Sequence, residues 1–180
     1  MSNTNFLKAV IKDHRVGAFT ASSKYVVQKI IQQLKPEHRF IIEYGAGDGV
    51  ITKAILDFLP RSGRLAAVEL NRDFFAELEK IKDGRLSLVN GDVFRVLKDL
   101  LKSDVKADAV ISGIPFTWIS GPAREKIISQ TSKAVRDGGI FIVYQYTPLV
   151  LPLLKKYFRK VHIIFEPRNF FPYFIMVAEK

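Results

Sequence analysis

Short apolar segments alternate with segments of helical periodicity along most of the chain. Runs rich in β-branched residues occupy 39–44, 64–69, 86–90, 108–112 and 139–144, and apolar residues spaced as on one helix face occupy 50–58, 73–81, 94–101 and 122–135. Gly138 and Gly139 follow the last helical segment and are predicted to end it. Strands that alternate with helices in this way predict a parallel sheet with crossover helices.

Two helical segments are predicted before this alternating region. The first carries Phe6, Leu7, Val10 and Ile11 on one face, with lysines at its edges. The second is capped by Ser22 or Ser23 and continues to residue 34. The apolar face of the first helix fits either packing against the protein or a position in the head-group region of a membrane.

The region after 144 contains a predicted helix over 148–158 and two closely joined strands over 161–165 and 173–178. Strands joined so closely can pair as antiparallel neighbours. We therefore predict one domain over 1–180, with a helical extension over 1–38, a cofactor-binding core over 39–148 and a C-terminal helix and strand pair over 149–180.

Composition narrows the class of protein. A chain of 180 residues with 48% hydrophobic composition buries about two-thirds of its unfolded surface and is too short for two ordinary domains. It has no cysteine, and its three histidines lack metal-ligand spacing, so we expect no metal. No apolar run approaches the ~20 residues of a membrane span, and no signal peptide is recognisable, which predicts a cytoplasmic protein.

The net charge of +10 is concentrated in two segments, 1–39 and 155–168. A basic surface favours partners that carry phosphate, either nucleic acid or an anionic membrane. The competing interpretation is a charged surface that only keeps the protein in solution.

A glycine-rich loop directly follows the first strand and opens a helix. Gly45, Gly47 and Gly49 give the spacing G-x-G-x-G, and Glu43 stands two residues before the first glycine. A dinucleotide loop would place its third glycine one residue later and would not require this acid. A carboxylate at Glu43 suits a ligand with a positive ammonium group better than a pyrophosphate.

Two more acids end the second and third strands. Glu69 stands where an α/β nucleotide site places the carboxylate that binds ribose hydroxyls, and Asp92 stands where a carboxylate can accept the exocyclic amine of adenine. Because the carboxyl ends of successive parallel strands share one crevice, the two acids together predict a nucleoside site.

Four segments, 43–49, 68–71, 90–93 and 112–115, resemble the successive motifs of class I S-adenosylmethionine-dependent methyltransferases. The resemblance implies a Rossmann-like α/β fold with a doubly wound, seven-stranded sheet, mostly parallel with one antiparallel strand. It also implies S-adenosyl-L-methionine as cofactor. The cofactor-binding residues that it implies are Ser23, Glu43, Tyr44, Gly45, Ala46, Gly47, Glu69, Leu70, Asp92, Val93 and Ser112.

The segment Ser112-Gly113-Ile114-Pro115-Phe116 bears on the methyl acceptor. The matching segment of rRNA adenine dimethyltransferases reads Asn-Ile-Pro-Tyr, and its Asn accepts a hydrogen bond from the target amine. Here Gly113 stands at that position. This version, together with 16–23 and 144–148, more closely resembles bacterial phospholipid N-methyltransferases, which implies an ethanolamine head group as acceptor and association with a membrane surface.

Aromatic residues are predicted around the reaction centre, because ring faces attract a sulfonium and a methylated ammonium. Tyr25 and Tyr146 are assigned the catalytic role of accepting a hydrogen bond from the incoming amine. The predicted substrate residues are Gly113, Ile114, Pro115, Phe116, Trp118 and Tyr144. The competing interpretation for each ring is ordinary packing.

Three other functions remain open at this point. An rRNA or other nucleic-acid N-methyltransferase fits the basic charge, and a small amine or carboxylate could also be the acceptor. A module that binds the cofactor without transferring its methyl group would carry the same loop.

Overall fold

The protein is described by a computed structural model that covers residues 22–103, 105–169 and 171–180. The helix predicted around Phe6 and Ile11 lies outside the described residues. The strands are β1 Phe40–Tyr44, β2 Arg64–Glu69, β3 Leu86–Asn90, β4 Ala107–Ser112, β5 Val135–Gln145, β6 Lys160–Glu166 and β7 Tyr173–Glu179. The α-helices are α1 Lys24–Ile31, α2 Val50–Phe58, α3 Arg72–Leu78, α4 Val93–Lys102, α5 Gly121–Ala134 and α6 Leu151–Tyr157. A short 3-10 helix spans Phe116–Trp118.

The seven strands form one sheet in the order β3-β2-β1-β4-β5-β7-β6. Strands β1 to β5 pair in parallel, and β7 is antiparallel to both β5 and β6. The predicted Rossmann-like sheet with one antiparallel strand is therefore confirmed. The chain order reverses between β1 and β4, and in open α/β sheets ligands bind at the carboxyl ends of the strands beside such a reversal.

Helices cover both faces of the sheet, as a doubly wound fold requires. On one face, α4, α5 and α6 bury residues such as Leu97, Ile127 and Leu154 against the sheet. On the other face, α1 and α2 bury residues such as Ile30 and Ile55. The alternation of side chains along each strand supplies both layers, which explains why the central strands β1 and β4 are buried almost throughout.

The start of β5 differs from the prediction. Helix α5 ends at Ala134, and Gly138 and Gly139 lie inside β5 instead of ending the helix. The pairing of β4 with β5 shifts register here, since Ala107 pairs with Val135 while Ala109 pairs with Ile140. The helical pattern extends one residue too far because Val135 is apolar and fully buried in either conformation.

Gly139 has no space for a side chain. A Cβ atom there would lie 2.7 Å from both the Asp108 carbonyl oxygen and Val135 Cγ1. We predict that Gly139→Ala lowers the free energy of unfolding by about 1–3 kcal/mol, because neither neighbour can move without disturbing the strand pair.

Gly84→Ala is the matched control, because a Cβ atom at Gly84 would meet nothing within 4 Å. Its free energy of unfolding should stay within about 0.5 kcal/mol of wild type. Urea unfolding of the three proteins measures both changes, and equal stabilities for the two variants would contradict the prediction.

Candidate active site

The loop from β1 to α2 depends on three glycines in the left-handed region. Gly45, Gly47 and Gly49 have φ angles of 73°, 54° and 78°. Residues with a Cβ atom rarely adopt this conformation, so the spacing of the motif reflects a backbone requirement at each position. The loop is held against β2, because the backbone N–H groups of Gly45 and Ala46 both donate to the Val68 carbonyl oxygen, at 2.8 and 3.2 Å.

Glu43 is completely buried beside this loop. Its Oε2 accepts a hydrogen bond of 2.6 Å from Thr52 Oγ1 of α2, while its Oε1 is buried without a hydrogen-bond partner among the described residues. Burial raises the pKa of Glu43 to about 8, with the Thr52 hydrogen bond opposing the change and the charges of Glu69 and Asp48 adding to it. A buried, unpaired carboxylate oxygen is a site for a ligand that brings a positive hydrogen-bond donor.

Glu69 connects the ends of two strands. Its Oε2 accepts the Gly47 backbone N–H at 2.8 Å, and its Oε1 accepts the Asn71 backbone N–H at 2.7 Å. Burial raises the pKa of the Glu69 carboxyl, and these backbone hydrogen bonds partly offset that effect. Because each carboxylate oxygen can accept a second hydrogen bond, Glu69 can hold the loop and still bind a ligand hydroxyl.

Asp92 is the third acid of the site, and it is the N-cap of α4. Its Oδ1 caps the helix by accepting the Phe94 backbone N–H at 2.8 Å. Val93 is buried beside it, and Leu70 is half-buried after β2. The Glu69 carbonyl oxygen accepts the Gly91 backbone N–H at 3.0 Å, so the ends of β2 and β3 lie side by side.

The exit of β4 lies against the glycine loop. The Gly113 backbone N–H donates to the Tyr44 carbonyl oxygen at 2.9 Å. Ser112 is fully buried, and its Oγ accepts the Ile114 backbone N–H at 3.4 Å. A Cβ atom on Gly113 would collide with the side chain of Tyr144 of β5, so the side chain of Tyr144 reaches the place where β1 and β4 end.

Two predicted site residues have their rings in the core. Tyr44 is fully buried, with its hydroxyl 3.4 Å from Thr131 Oγ1 of α5, so only its backbone borders the loop. Phe116 is also fully buried, in the cluster that includes Ile127. Pro115 precedes the 3-10 helix, and Trp118 at its end is exposed.

Tyr25 and Tyr146 occupy different surroundings. The ring of Tyr25 on α1 lies 4.2 Å from the Arg168 guanidinium carbon. The ring of Tyr146 lies 4.7 Å from that of Tyr173, which is also 6.0 Å from that of Tyr144. Burial raises the pKa of Tyr146, and Tyr173 adds to this effect. The catalytic role of both tyrosines stays a prediction.

The sequence prediction missed a polar clamp between α1 and the β6–β7 loop. Glu166, almost fully buried, accepts two hydrogen bonds from the Arg168 guanidinium, at 2.7 and 2.8 Å. Asn169 Oδ1 accepts the Ser23 backbone N–H at 2.9 Å, and Ser23 Oγ donates to the Arg168 carbonyl oxygen at 3.0 Å. The run of polar residues between the last two strands was the sequence feature that could have pointed to this clamp. The predicted cofactor residue Ser23 is thus the N-cap of α1 and one end of this clamp.

A glycine loop after β1, a buried acid before it and acids at the ends of β2 and β3 define the class of S-adenosylmethionine-dependent methyltransferases. The ribosomal RNA adenine dimethylase family model matches residues 18–145. The chain belongs to this family, and it is an S-adenosylmethionine-dependent methyltransferase.

Two curated relatives show different coverage. The ornithine lipid N-methyltransferase of Singulisphaera acidiphila is 26% identical over 162 residues, which span 87% of this chain and 84% of that protein. The ribosomal RNA small subunit methyltransferase A of a Burkholderia species is 27% identical over 134 residues, which span 71% of this chain and 48% of that protein. The chain therefore spans about half the length of that rRNA enzyme.

Solved structures support the fold. The precorrin-6y C5,15-methyltransferase of Geobacter metallireducens has a TM-score of 0.71 at 19% identity, covering 91% of this chain and 94% of that one. The O-methyltransferase TomG of Streptomyces achromogenes has a TM-score of 0.69 at 15% identity, covering 97% and 90%.

The buried state of Glu43 predicts a pH-dependent stability. Because the folded pKa of about 8 exceeds the ordinary value of 4.5, the folded state keeps a proton that the unfolded chain has lost. The free energy of unfolding of the cofactor-free protein should therefore fall as pH rises between these two values. Glu43→Gln should flatten this dependence, as measured by urea unfolding across the same pH range.

Glu77→Gln is the control, because Glu77 is exposed and its carboxylate forms a surface ion pair with Lys80. It should keep the wild-type pH dependence. Parallel curves for wild type and Glu43→Gln would show that Glu43 does not titrate in this range in the folded protein.

Proposed function

We propose that this methyltransferase N-methylates the amine of a phospholipid head group, such as phosphatidylethanolamine, at a membrane surface. The observation that carries the proposal is the pair Gly113 and Tyr144, which fills the position where the rRNA enzymes have an asparagine. The match to the ornithine lipid N-methyltransferase, which covers 84% of that protein, also supports a lipid amine as acceptor.

The polar groups of the site fit S-adenosylmethionine. Glu43 Oε1, buried without a described partner, suits the cofactor's ammonium group, because ionisation of Glu43 would then be compensated. Glu69 would bind the ribose hydroxyls and Asp92 the adenine amine, with Leu70 and Val93 against the ring. The backbone of residues 44–47 would follow the methionine part, with Ser112 and Ser23 at its borders. When bound, the cofactor supplies an electrophilic methyl group on a positively charged sulfur.

Gly113 argues against an adenine base as acceptor. The exocyclic amine of adenine is a weak nucleophile and depends on a hydrogen-bond acceptor that aims its lone pair at the methyl group. An asparagine at position 113 would have to displace Tyr144. An aliphatic amine is already nucleophilic when neutral, so it depends less on that asparagine.

Exposed apolar side chains follow strands β4, β5 and β6 on the side of the predicted acceptor site. The exposed fractions are 39% for Trp118, 40% for Tyr146, 41% for Leu149 and 46% for Phe171. Trp118 ends the 3-10 helix after β4, and the other three lie in loops after β5 and β6. All four are at the carboxyl edge of the sheet, since β6 runs parallel to β5 and the β6–β7 loop reaches that edge. Tryptophan and tyrosine favour the membrane interface, so this rim, beside Ile114 and Pro115, suits contact with lipid head groups.

The charge of the protein supports peripheral attachment to an anionic membrane. The net charge of +10 would favour such a surface, where each nearby Lys or Arg contributes about 1 kcal/mol. Within the described ranges, none of the helices is both long and apolar enough to cross a bilayer. Among those same residues, no group of three potential metal ligands occurs, and the proposed reaction uses none.

Methylation of rRNA is the second candidate. The family model and several relatives named as rRNA methyltransferases favour it, and so does the positive charge. Under this alternative, the Tyr144 side chain would have to move away from Gly113 to admit a base.

The cofactor assignment predicts the effect of changing Asp92 and Glu69. Asp92→Asn keeps an N-cap for α4 but turns an amide donor toward the adenine amine, so affinity for S-adenosylmethionine should fall about tenfold. Glu69→Ala should weaken binding at least as much, because it also releases Gly47. Calorimetric titration of folded variants measures this, with exposed Asp99→Asn as control. Wild-type affinity in both site variants would contradict the assignment.

The acceptor is identified by following labelled methyl from S-adenosylmethionine. We expect transfer to phosphatidylethanolamine in anionic vesicles, because the acceptor and the surface charge are then presented together. Structured RNA and a mixture of small amines are assayed in parallel. Label only in RNA would support the second candidate and contradict the lipid proposal, and label only in a soluble amine would contradict both.

A further inference from the structure

We propose that the hydroxyl of Tyr144 replaces the missing side chain at position 113 and accepts a hydrogen bond from the amine that is methylated. This inference rests on the proposed function and adds the residue that orients the acceptor. Gly113 and Tyr144 then act as a pair that selects which amines react.

Glycine at position 113 is required by a neighbour and not by the backbone. The φ angle of Gly113 lies outside the left-handed region, so an ordinary residue could adopt its conformation. A Cβ atom there, however, would lie 2.9 Å from Tyr144 Cζ, closer still to the hydroxyl, and 3.2 Å from the Gly45 carbonyl oxygen. The phenol therefore occupies the space that an asparagine side chain would need.

The Tyr144 hydroxyl also lies at the right place for this role. The hydroxyl lies against Gly113. The N–H of Gly113 donates to the carbonyl oxygen of Tyr44, and Tyr44 directly precedes the glycine loop. On the loop side, a Cβ atom on Gly45 would be 3.5 Å from Ile114 N, so loop and β4 exit are in contact. The hydroxyl is thus beside the junction between the predicted methionine part of the cofactor site and the predicted substrate residues.

The surroundings of Tyr144 keep the phenol in place and neutral. Its ring is buried against that of Tyr173, and the side chain of Ser22, just before α1, lies near its hydroxyl. Burial raises the pKa of Tyr144 well above its ordinary value, and the nearby charge of Glu43 adds to this. A neutral phenol has one donor and two acceptor lone pairs, so it can keep the Ser22 contact and accept from an amine.

The hydrogen bond acts before and during the transfer. A neutral amine whose N–H points at the Tyr144 oxygen has its lone pair directed elsewhere, at the methyl group. The nitrogen–carbon bond forms as the carbon–sulfur bond breaks, and the electron pair of that bond stays on sulfur as a thioether. The ammonium product then releases its proton to water, so Tyr144 neither gains nor loses a proton.

This role distinguishes successive methylations. A neutral primary amine has two N–H groups, a monomethyl amine has one and a dimethyl amine has none. Tyr144 can therefore assist the first and second transfers but not the third. A residue that only supported the shape of the site would affect all three transfers alike.

The experiment compares Tyr144→Phe with Tyr173→Phe, which removes a buried phenol hydroxyl from the adjacent strand β7. Initial rates of labelled methyl transfer are measured with vesicles of phosphatidylethanolamine and of its monomethyl and dimethyl derivatives. Tyr144→Phe should lower kcat about tenfold on the first two acceptors and leave the third at the wild-type rate. Tyr173→Phe should treat the three acceptors equally, and calorimetry should give both variants wild-type affinity for S-adenosylmethionine.

The outcomes separate this inference from the proposed function. A wild-type enzyme that transfers no methyl group to any of the three lipids overturns the proposed function. A wild-type enzyme that is active, with Tyr144→Phe matching its rate on phosphatidylethanolamine, overturns only the role of Tyr144. An equal loss on all three acceptors also overturns that role, because it would reflect disturbed packing.

The steric part has its own test in a double-mutant cycle. Gly113→Ala should lower the free energy of unfolding in the wild-type background and lower it less in a Tyr144→Ala background, because the colliding hydroxyl is then absent. Additive changes in the two backgrounds would show that Tyr144 does not occupy the space at position 113.

Discussion

The hydrogen bonds of Glu69 hold together the parts on which the whole site depends. One carboxylate on β2 fixes Gly47 in the loop that follows β1 and Asn71 at the start of α3. Without this bridge, a loop of three left-handed glycines would have many accessible conformations, because glycine restricts the backbone least. The site is therefore pre-organised by a group that is also predicted to bind the ligand, and cofactor binding need not order the loop at its own cost.

Glu43, unlike Glu69, has only one of its two carboxyl oxygens paired in the described structure. Its burial is unfavourable for the charged form, and only Thr52 partly compensates it in the described structure. Such a group persists when it serves a ligand, because a bound ammonium would turn an unfavourable buried acceptor into a paired one. Glu69 on β2 thus holds the loop in place, while Glu43 on the neighbouring strand β1 keeps a buried oxygen without a partner among the described residues.

The sheet, and the position of the acids at its carboxyl edge, could be predicted from the sequence because both depend on local patterns. Alternating strands and helices determine a parallel sheet, and acids at strand ends determine which groups meet at its carboxyl edge. The extension of α5 to Val135, with Gly138 and Gly139 as its end, was wrong because a buried Val135 satisfies a helix pattern and a strand pattern equally. The polar run between β6 and β7 is visible in the sequence, but its partners are not: Arg168 meets Tyr25 and Asn169 meets Ser23 across more than a hundred positions of the chain, and no local pattern pairs them. The same holds for the contact between Gly113 and Tyr144.

Under the proposed role of Tyr144, that last contact would let one scaffold change its methyl acceptor. The predicted cofactor half of the site rests on left-handed glycines and buried carboxylates. The predicted acceptor half consists of residues at the exits of β4 and β5. Loss of the side chain at position 113 opens space only if no neighbour fills it, and here the side chain of Tyr144 fills it. Two strands that pair in parallel bring these positions together, so in the proposed role of Tyr144 a phenol on β5 would supply the hydrogen-bond acceptor in place of an amide at the exit of β4. The amide presents a planar edge that suits a base, while the phenol presents one oxygen that suits a small, freely rotating amine.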